Sequence, residues 1–441
     1  MTGRAIVLIA AVALVASAAT GCAHTGPAPA EAAGVRIDTN TPQGLRAKQT
    51  IDMLNSDWPI GTVTVGTLAS PELVDAVTGA MDRLWWDRPI TVTGLDVGAG
   101  VATLHVLNSY SVAQDIELRT NDAGLVDRFQ VNLQKPRLAR WQDVDAELTK
   151  SGAHYSYQAS KVNDGKCTRV AGTNVDDSLP LASIFKLYVL LAVADAVNAG
   201  TLSWTDGLTI TKEAKAVGSA GFDELQPGAT VSVREAAQQM ISASDNMATD
   251  LLIDRLGPGA VEQALKAGGH HDPSAMTPFP TAHELFSVGW GNPDVREQWR
   301  HASPAVRAQL LKDTNARPYE PDPQRTHTPA SPYGAEWYGT ATDICHVHAA
   351  LQAAAHGAAA PVRDILSATP GIELDRSKWP YIAAKAGNLP GDLTFSWYAE
   401  DHTGQGWVVS FQLNWTAYRS QTAASWLLSV ATQSFGMLPV P

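Results

Sequence analysis

The sequence predicts an α+β protein with two folded domains. Three observations carry that prediction. Two strand-like runs near residue 160 are answered by three more near the C-terminus, with helices between them. Residues 41–136 run separately from two helical patterns into a series of strand-like segments. The 441 residues are 45% hydrophobic and 17% charged, the balance of a globular chain with enough length for a real core. The net charge is −12, and no Lys/Arg-rich run stands out, so nucleic acid is excluded as a partner.

The chain opens "MTGRAIVLIAAVALVASAATGCAHTGPAPAEAAG". Arg4 precedes an apolar run over 5–19 that is too short to span a bilayer comfortably, and small residues follow it. The "ATGC" ending reads as a lipoprotein signal over 1–22, with Cys22 as the lipidated residue; an ordinary leader cut near "ASA" is the other reading. Both imply export, and the first implies an anchor in the cell membrane. Residues 23–40, rich in Ala, Pro, Gly and Thr, read as a flexible tether. After Cys22 only Cys167 and Cys345 remain; in an exported protein they are a possible disulfide, which sequence leaves open.

In 41–136, "TPQGLRAKQTIDMLN" places Thr41 to cap a helix and Pro42 in its first turn. Ser70 is the expected cap of "SPELVDAVTGAMDRLWW". Four strand-like runs follow, separated by Gly/Asn/Asp turns, which predicts a meander curled around a helix. No acid, base or metal cluster stands out here.

In 137–441, "WQDVDAELTKSG" is helical, and "HYSYQASKV" and "KCTRVAGTN" flank an "NDG" turn, a hairpin signal. The apolar helix "LPLASIFKLYVLLAVADAV" comes next, then "SVREAAQQMISASDNMATDLLIDRLG" as one or two helices. Residues 289–340 are polar, Pro-rich and expected to be irregular. "YIAAKAGNL", "LTFSWYAED" and "GWVVSFQLNWT" read as three antiparallel strands before a last helix. Two early and three late strands imply one five-stranded antiparallel sheet flanked by helices.

Lys186 is the odd residue of the apolar helix. A lysine is rarely buried without a partner. The bland reading is a first-turn lysine that reaches solvent. The sharper one pairs it with Ser183, three residues earlier on one helical face. A serine hydroxyl needs a base, and an apolar site lowers a lysine's pKa enough for it to accept a proton. Two further strings join them: Ser244-Asp245-Asn246 and Lys385-Ala386-Gly387. Alone, the former is an ordinary helix cap and Lys385 a solvated strand residue.

"SIFK", "SDN" and "KAG", in that order, resemble the S-x-x-K, S-D-N and K-T-G set of the serine β-lactamases and penicillin-binding proteins. The resemblance covers about 141–441 and implies the β-lactamase/transpeptidase-like fold. It implies Ser183 as nucleophile, Lys186 as its base, Ser244 as proton relay, and Lys385 as the positive charge for Ser244 and for an anionic substrate. It further implies that Asn246 orients substrate, and that the Ser183 and Asn388 amides, beside Gly387, form an oxyanion hole. No cofactor is implied.

Two departures stand out. Ala386 replaces a hydroxyl residue that normally donates to a substrate carboxylate. The deacylating string E-x-x-L-N is missing after "SDN", and "TPFPTAHELF" resembles the helix beyond a truncated loop. Glu284 then reads as exposed on that helix, and Glu262 as a surface residue of the preceding one. The layout resembles actinobacterial two-domain serine hydrolases, among them mycobacterial lipoproteins and a clavulanic-acid-pathway protein, with a cystatin/steroid-isomerase-like first domain. Of the remaining residues, "CHVH" with His356 lacks zinc spacing, His270 and His271 read as exposed, and Trp85, Trp86, Trp337 and Trp397 as core and cleft walls.

The expected function is an exported serine hydrolase that forms an acyl-enzyme on Ser183 with a small-molecule or peptide-like ester or amide. The alternatives are a penicillin-binding protein or weak β-lactamase, and a non-catalytic ligand-binding lipoprotein.

Overall fold

A computed structural model describes residues 35–211, 218, 219 and 221–440. The expected leader over 1–22, with Cys22, and most of the expected tether lie outside the described residues. No described helix is long and apolar enough to cross a membrane. The chain divides into two compact units: one runs to Gly152 and includes Tyr418–Ser434; the other comprises Ala153–Ala417 and the segment from Phe435.

The first unit begins with helix Pro42–Leu54, where Thr41 Oγ1 accepts the Gly44 amide at 3.1 Å. Ser70 precedes a 3₁₀ turn, Pro71–Leu73, instead of capping the helix directly; the helix starts at Val74 and runs to Trp85. Val77, Met81 and Leu84 form its buried stripe. Strands Thr91–Val97, Val101–Leu107, Ala113–Thr120 and Val126–Leu133 form an antiparallel meander in chain order. Alternate residues Ala102, Leu104, Val106, Ile116 and Leu118 are buried on one face. Asp87 is fully buried and accepts from Tyr110 Oη at 2.9 Å, the Ser420 amide at 2.9 Å and Ser420 Oγ at 2.5 Å.

The second unit is built on a five-stranded antiparallel sheet in the spatial order Tyr381–Leu389, Asp392–Glu400, Gly406–Asn414, His154–Asn163, Lys166–Thr173. Both ends of the unit therefore supply one sheet, and the late strands insert beside the early hairpin. That hairpin turns at Asp164 and Gly165, with φ of 48° and 73°, the left-handed pair that the "NDG" string favours. Helix Lys186–Asn198 buries almost every residue, so its apolar character all round reflects a central position. The following helical run is two helices, Val233–Ser242 and Asn246–Leu256, broken at the "SDN" string. Trp337 stacks on Phe185 with ring centroids 3.7 Å apart.

Residues 289–340 are less irregular than expected. Pro304–Asn315 is a twelve-residue helix capped by Ser303. Only Leu310, Leu311 and Thr314 of it are buried, too few apolar positions for the periodicity to show in the sequence. Helix Ala341–Ala354 starts from a Thr340/Asp343 capping box. Its Cys345 is disulfide-bonded to Cys167 on the edge strand, with Cα atoms 6.3 Å apart.

Candidate active site

Ser183 lies in a short 3₁₀ turn, Ala182–Phe185, that runs straight into helix Lys186–Asn198. Strand residues Leu179–Pro180, paired with Tyr338–Gly339, deliver the chain to it. The backbone bends sharply at Ala182, whose φ of 44° is a left-handed conformation that costs a non-glycine residue free energy. Ser244 shares that property, with φ of 55°, on the break between its two helices. Such strain persists only where the surroundings over-determine it, and here it presents the two serines of the site.

Asp245 fixes the break. It is fully buried, and its carboxylate accepts from Ala248 N at 2.8 Å and from Gly221 N and Phe222 N, both at 3.0 Å. In its context the aspartate of "SDN" is thus both a helix cap and a loop anchor.

Lys186 is 0% exposed. Its Nζ donates to Ser244 O at 2.6 Å, Ser244 Oγ at 3.2 Å and Asn246 Oδ1 at 2.6 Å; Ser183 is not among its partners. Burial pushes the amine down to about 7, while Asp245 and Asp250 oppose that shift. Lys385, also buried, donates to Ser244 Oγ at 2.9 Å and to Ala386 O at 2.7 Å. Burial, then the charge of Lys186, hold it well below the ordinary lysine range. Ser244 Oγ accepts from both amines, so its own proton is free to be given away.

Gly387 explains why this edge strand can approach the serine. A Cβ there would lie 2.6 Å from Ser183 N, 2.8 Å from Leu181 O and 2.9 Å from Ala182 Cβ. Ala386 and Asn388 on either side are exposed. The structure thus gathers Lys186, Ser244, Asn246 and Lys385 by direct hydrogen bonds, and sets Gly387 against Ser183.

Several residues carry weight that the sequence did not reveal. His348 is fully buried and held neutral, its imidazole pushed down to about 3 by burial. Its Nε2 lies 2.9 Å from Ser396 Oγ, which donates to Lys385 O at 3.1 Å, so helix Ala341–Ala354 braces the Lys385 strand. Asp250, four residues beyond Asn246, is buried; burial, outweighing amide hydrogen bonds and Lys186, pushes its carboxyl up to about 7. The signal for it was an acid on the buried face of the "SDN" helix.

Three expectations need correction. Glu284 is half-buried in a Thr281 capping box, and burial raises its pKa. Glu262 is half-buried too, and accepts from Phe279 N at 3.1 Å, so both acids hold the segment between their helices in place. His270 is buried, not exposed; with His271 and Asp343 it forms a group whose ligand atoms lie within 4.8 Å of one another, a set able in kind to hold a metal. Both His270 nitrogens are committed, however: Nε2 donates to Tyr338 O at 2.9 Å and Nδ1 accepts from Asp272 N at 3.1 Å. His271 Nδ1 bonds Asp343.

Residues 139–391, more than half of the chain, match the family model described as the "Beta-lactamase enzyme family". The chain belongs to the β-lactamase enzyme family. Residues 37–126 match a second model, "ORF 12 gene product N-terminal". The β-lactamase VEB-1 of Pseudomonas aeruginosa is 26% identical over 144 residues, 32% of this chain and 46% of that enzyme, so the match spans less than half of its length. Among solved structures, a β-lactamase from Sphaerobacter thermophilus covers 68% of this chain and 100% of its own, at 22% identity and TM-score 0.48. The chromosome-encoded β-lactamase of Vibrio parahaemolyticus covers 67% and 98%, at 14% identity and TM-score 0.46.

Proposed function

We propose that this β-lactamase-family chain is an exported, lipid-anchored serine hydrolase that forms an acyl-enzyme on Ser183 with an ester or amide substrate. One observation carries the reading: two buried lysines meet on Ser244 Oγ, at 3.2 and 2.9 Å, and one of them, Lys186, follows the half-buried Ser183 by three residues in the turn that opens its helix. Burying two amines costs free energy that a structural role does not need to spend, and lowers both pKa values toward the range of a working base.

The steps follow from the groups present. Lys186, as the free amine, takes the proton of Ser183, and Oγ attacks the substrate carbonyl. The amides of Ser183 and Asn388 stabilise the oxyanion. Ser244 gives its proton to the leaving group and is reprotonated from the lysines. Lys385 draws in a substrate carboxylate, with no hydroxyl at Ala386 to assist it. Asn246 orients the substrate.

Deacylation separates this enzyme from an efficient β-lactamase. The string E-x-x-L-N is missing from the sequence. Both Asp250 oxygens are engaged by backbone amides, at 2.7 and 2.9 Å. With the glutamate of that string missing and Asp250 occupied in seating Ala282 and His283, a β-lactam acyl group should dwell on Ser183, while simple esters turn over slowly. Cys22 supplies the lipid anchor, and the first unit, read as a cystatin/steroid-isomerase-like module, carries no chemistry of its own. The similarity to VEB-1 favours a second reading, a weak β-lactamase or penicillin-binding protein.

Intact-protein mass spectrometry with a penicillin and, separately, a cephalosporin ester tests the proposal. An increment that maps to Ser183 and decays over hours supports it. Rapid, steady turnover of the lactam favours the second reading. Inertness towards esters and lactams alike overturns both.

A further inference from the structure

Asp250 is not one of the residues that the family strings single out, yet it is buried within one helical turn of Asn246. Residues four apart on a helix share a face. Asn246 Oδ1 holds Lys186 Nζ at 2.6 Å. Asp250 Oδ1 accepts from Ala282 N at 2.7 Å and Oδ2 from His283 N at 2.9 Å. Those two residues open helix Ala282–Trp290, the segment that follows the truncated loop. The carboxylate thus docks the positive end of one helix onto the helix that carries Asn246.

The charged groups around this pair are few. Facing Lys186 are Asp245, Asp250 and Lys385. Facing Asp250 are Lys186 and, on its own helix, Asp254. The His283 ring turns away, with Nε2 3.0 Å from Arg317 O and 3.4 Å from Thr314 O. Asp245 is held by three amides of its own.

We propose that Asp250 is a positioning residue of the acylation site: it seats helix Ala282–Trp290 and, in its ionised form, favours the protonated state of Lys186. This rests on the reading of Lys186 as the base of Ser183. The sign is fixed by Coulomb's law. A carboxylate nearby favours the ammonium, so removing it lets the free amine survive to lower pH.

The test is the pH dependence of Ser183 acylation by a penicillin or phosphonate probe, in wild type, Asp250→Asn and Thr281→Ala. Thr281→Ala loosens the same helix end, by removing the hydroxyl that accepts from Glu284 N, and leaves the charge in place. The expected result is an acid limb lower by up to about one pH unit in Asp250→Asn and unmoved in Thr281→Ala. A slower Asp250→Asn enzyme whose limb coincides with wild type would overturn the proposal, because a purely structural role predicts that pattern.

Should Asp250→Asn fail to fold, carboxyl carbon NMR gives the reciprocal measurement. Loss of the lysine charge in Lys186→Ala should raise the Asp250 titration midpoint by a comparable amount, and an unchanged midpoint overturns the coupling. If wild type itself shows no acylation, the proposed function fails, while this comparison still decides whether Asp250 and Lys186 are coupled.

Discussion

Lys186 and Lys385, from a helix and a strand, place their amines on the same oxygen, Ser244 Oγ, at 3.2 and 2.9 Å. Two full positive charges at that spacing would repel strongly in a buried site. At least one amine is therefore neutral for much of its time. When Lys186 is neutral it offers a lone pair, and the contact with Ser244 reverses, the hydroxyl becoming the donor. Proton exchange between Ser244 and the lysines is thus built into the resting geometry.

The pH profile of acylation follows. Lys186 is pushed down to about 7, and only its free amine accepts a proton. Acylation of Ser183 should rise with pH through about 7 and level off above it, as read from the rate of mass increment in a pH series. A rate that stays flat between pH 5.5 and 8.5 would argue against Lys186 as the base.

Ser244→Ala removes the shared hydroxyl and keeps the volume. It should slow acylation about 10²–10⁴-fold, the usual contribution of a positioned proton donor. Circular dichroism should show the fold retained, since Asp245 still anchors the break. Acylation within tenfold of wild type would remove Ser244 from the relay.

Gly387→Ala should be severe for its size. The new methyl would meet the Ser183 backbone at 2.6 Å, where neither strand nor turn has a flexible side chain to give way. A stability loss of about 1–3 kcal/mol is expected, with acylation reduced far more than that loss explains. Thermal melting and acylation rates read the two effects separately.

Reduction of Cys167–Cys345 should destabilise the second unit. The bond closes a loop with a sequence separation of 178 residues. On the chain-entropy account that is worth about 5 kcal/mol, a fall in Tm on the order of 10 °C. Calorimetry with and without reductant checks it, with a Cys167→Ala/Cys345→Ala chain as control.

Asp87→Ala tests the first unit. The change strands the Tyr110 and Ser420 donors in a buried site. A loss of about 2–4 kcal/mol in urea unfolding is expected. A change under 0.5 kcal/mol would mean that these groups find other partners.

Much of the fold and of the site is legible in the amino-acid sequence. The five strands and the three strings can be read from local pattern, because edge strands, turns and helix starts are written in neighbouring residues. "NDG" sets its turn through two left-handed residues, and Ser183 and Lys186 stand out as polar residues in an apolar run. What stays hidden depends on partners far along the chain. Asp250 is ordinary in a helix until Ala282 and His283 arrive from another element. Glu284 and Glu262 look exposed because a charged residue usually is, but each is tied to a backbone amide by a tertiary or capping contact. His270 reads as a turn residue beside glycines, and partners distant in sequence, the Tyr338 carbonyl and the Tyr188 ring among them, bury it. Helix Pro304–Asn315 carries a cap and a first-turn proline but no stripe, so pattern alone misses it.

The order of strands has a consequence for how the molecule comes into being. His154–Asn163 hydrogen-bonds to Gly406–Asn414, so the sheet joins segments far apart in the order of synthesis. Until residue 414 is available, the early hairpin has no neighbour on that side, and the apolar helix Lys186–Asn198 has no finished sheet to cover it. Pairing of such distant segments is slow, because the loop must close before any contact rewards it. The sheet of the second unit therefore stays incomplete until nearly the full length of the chain exists.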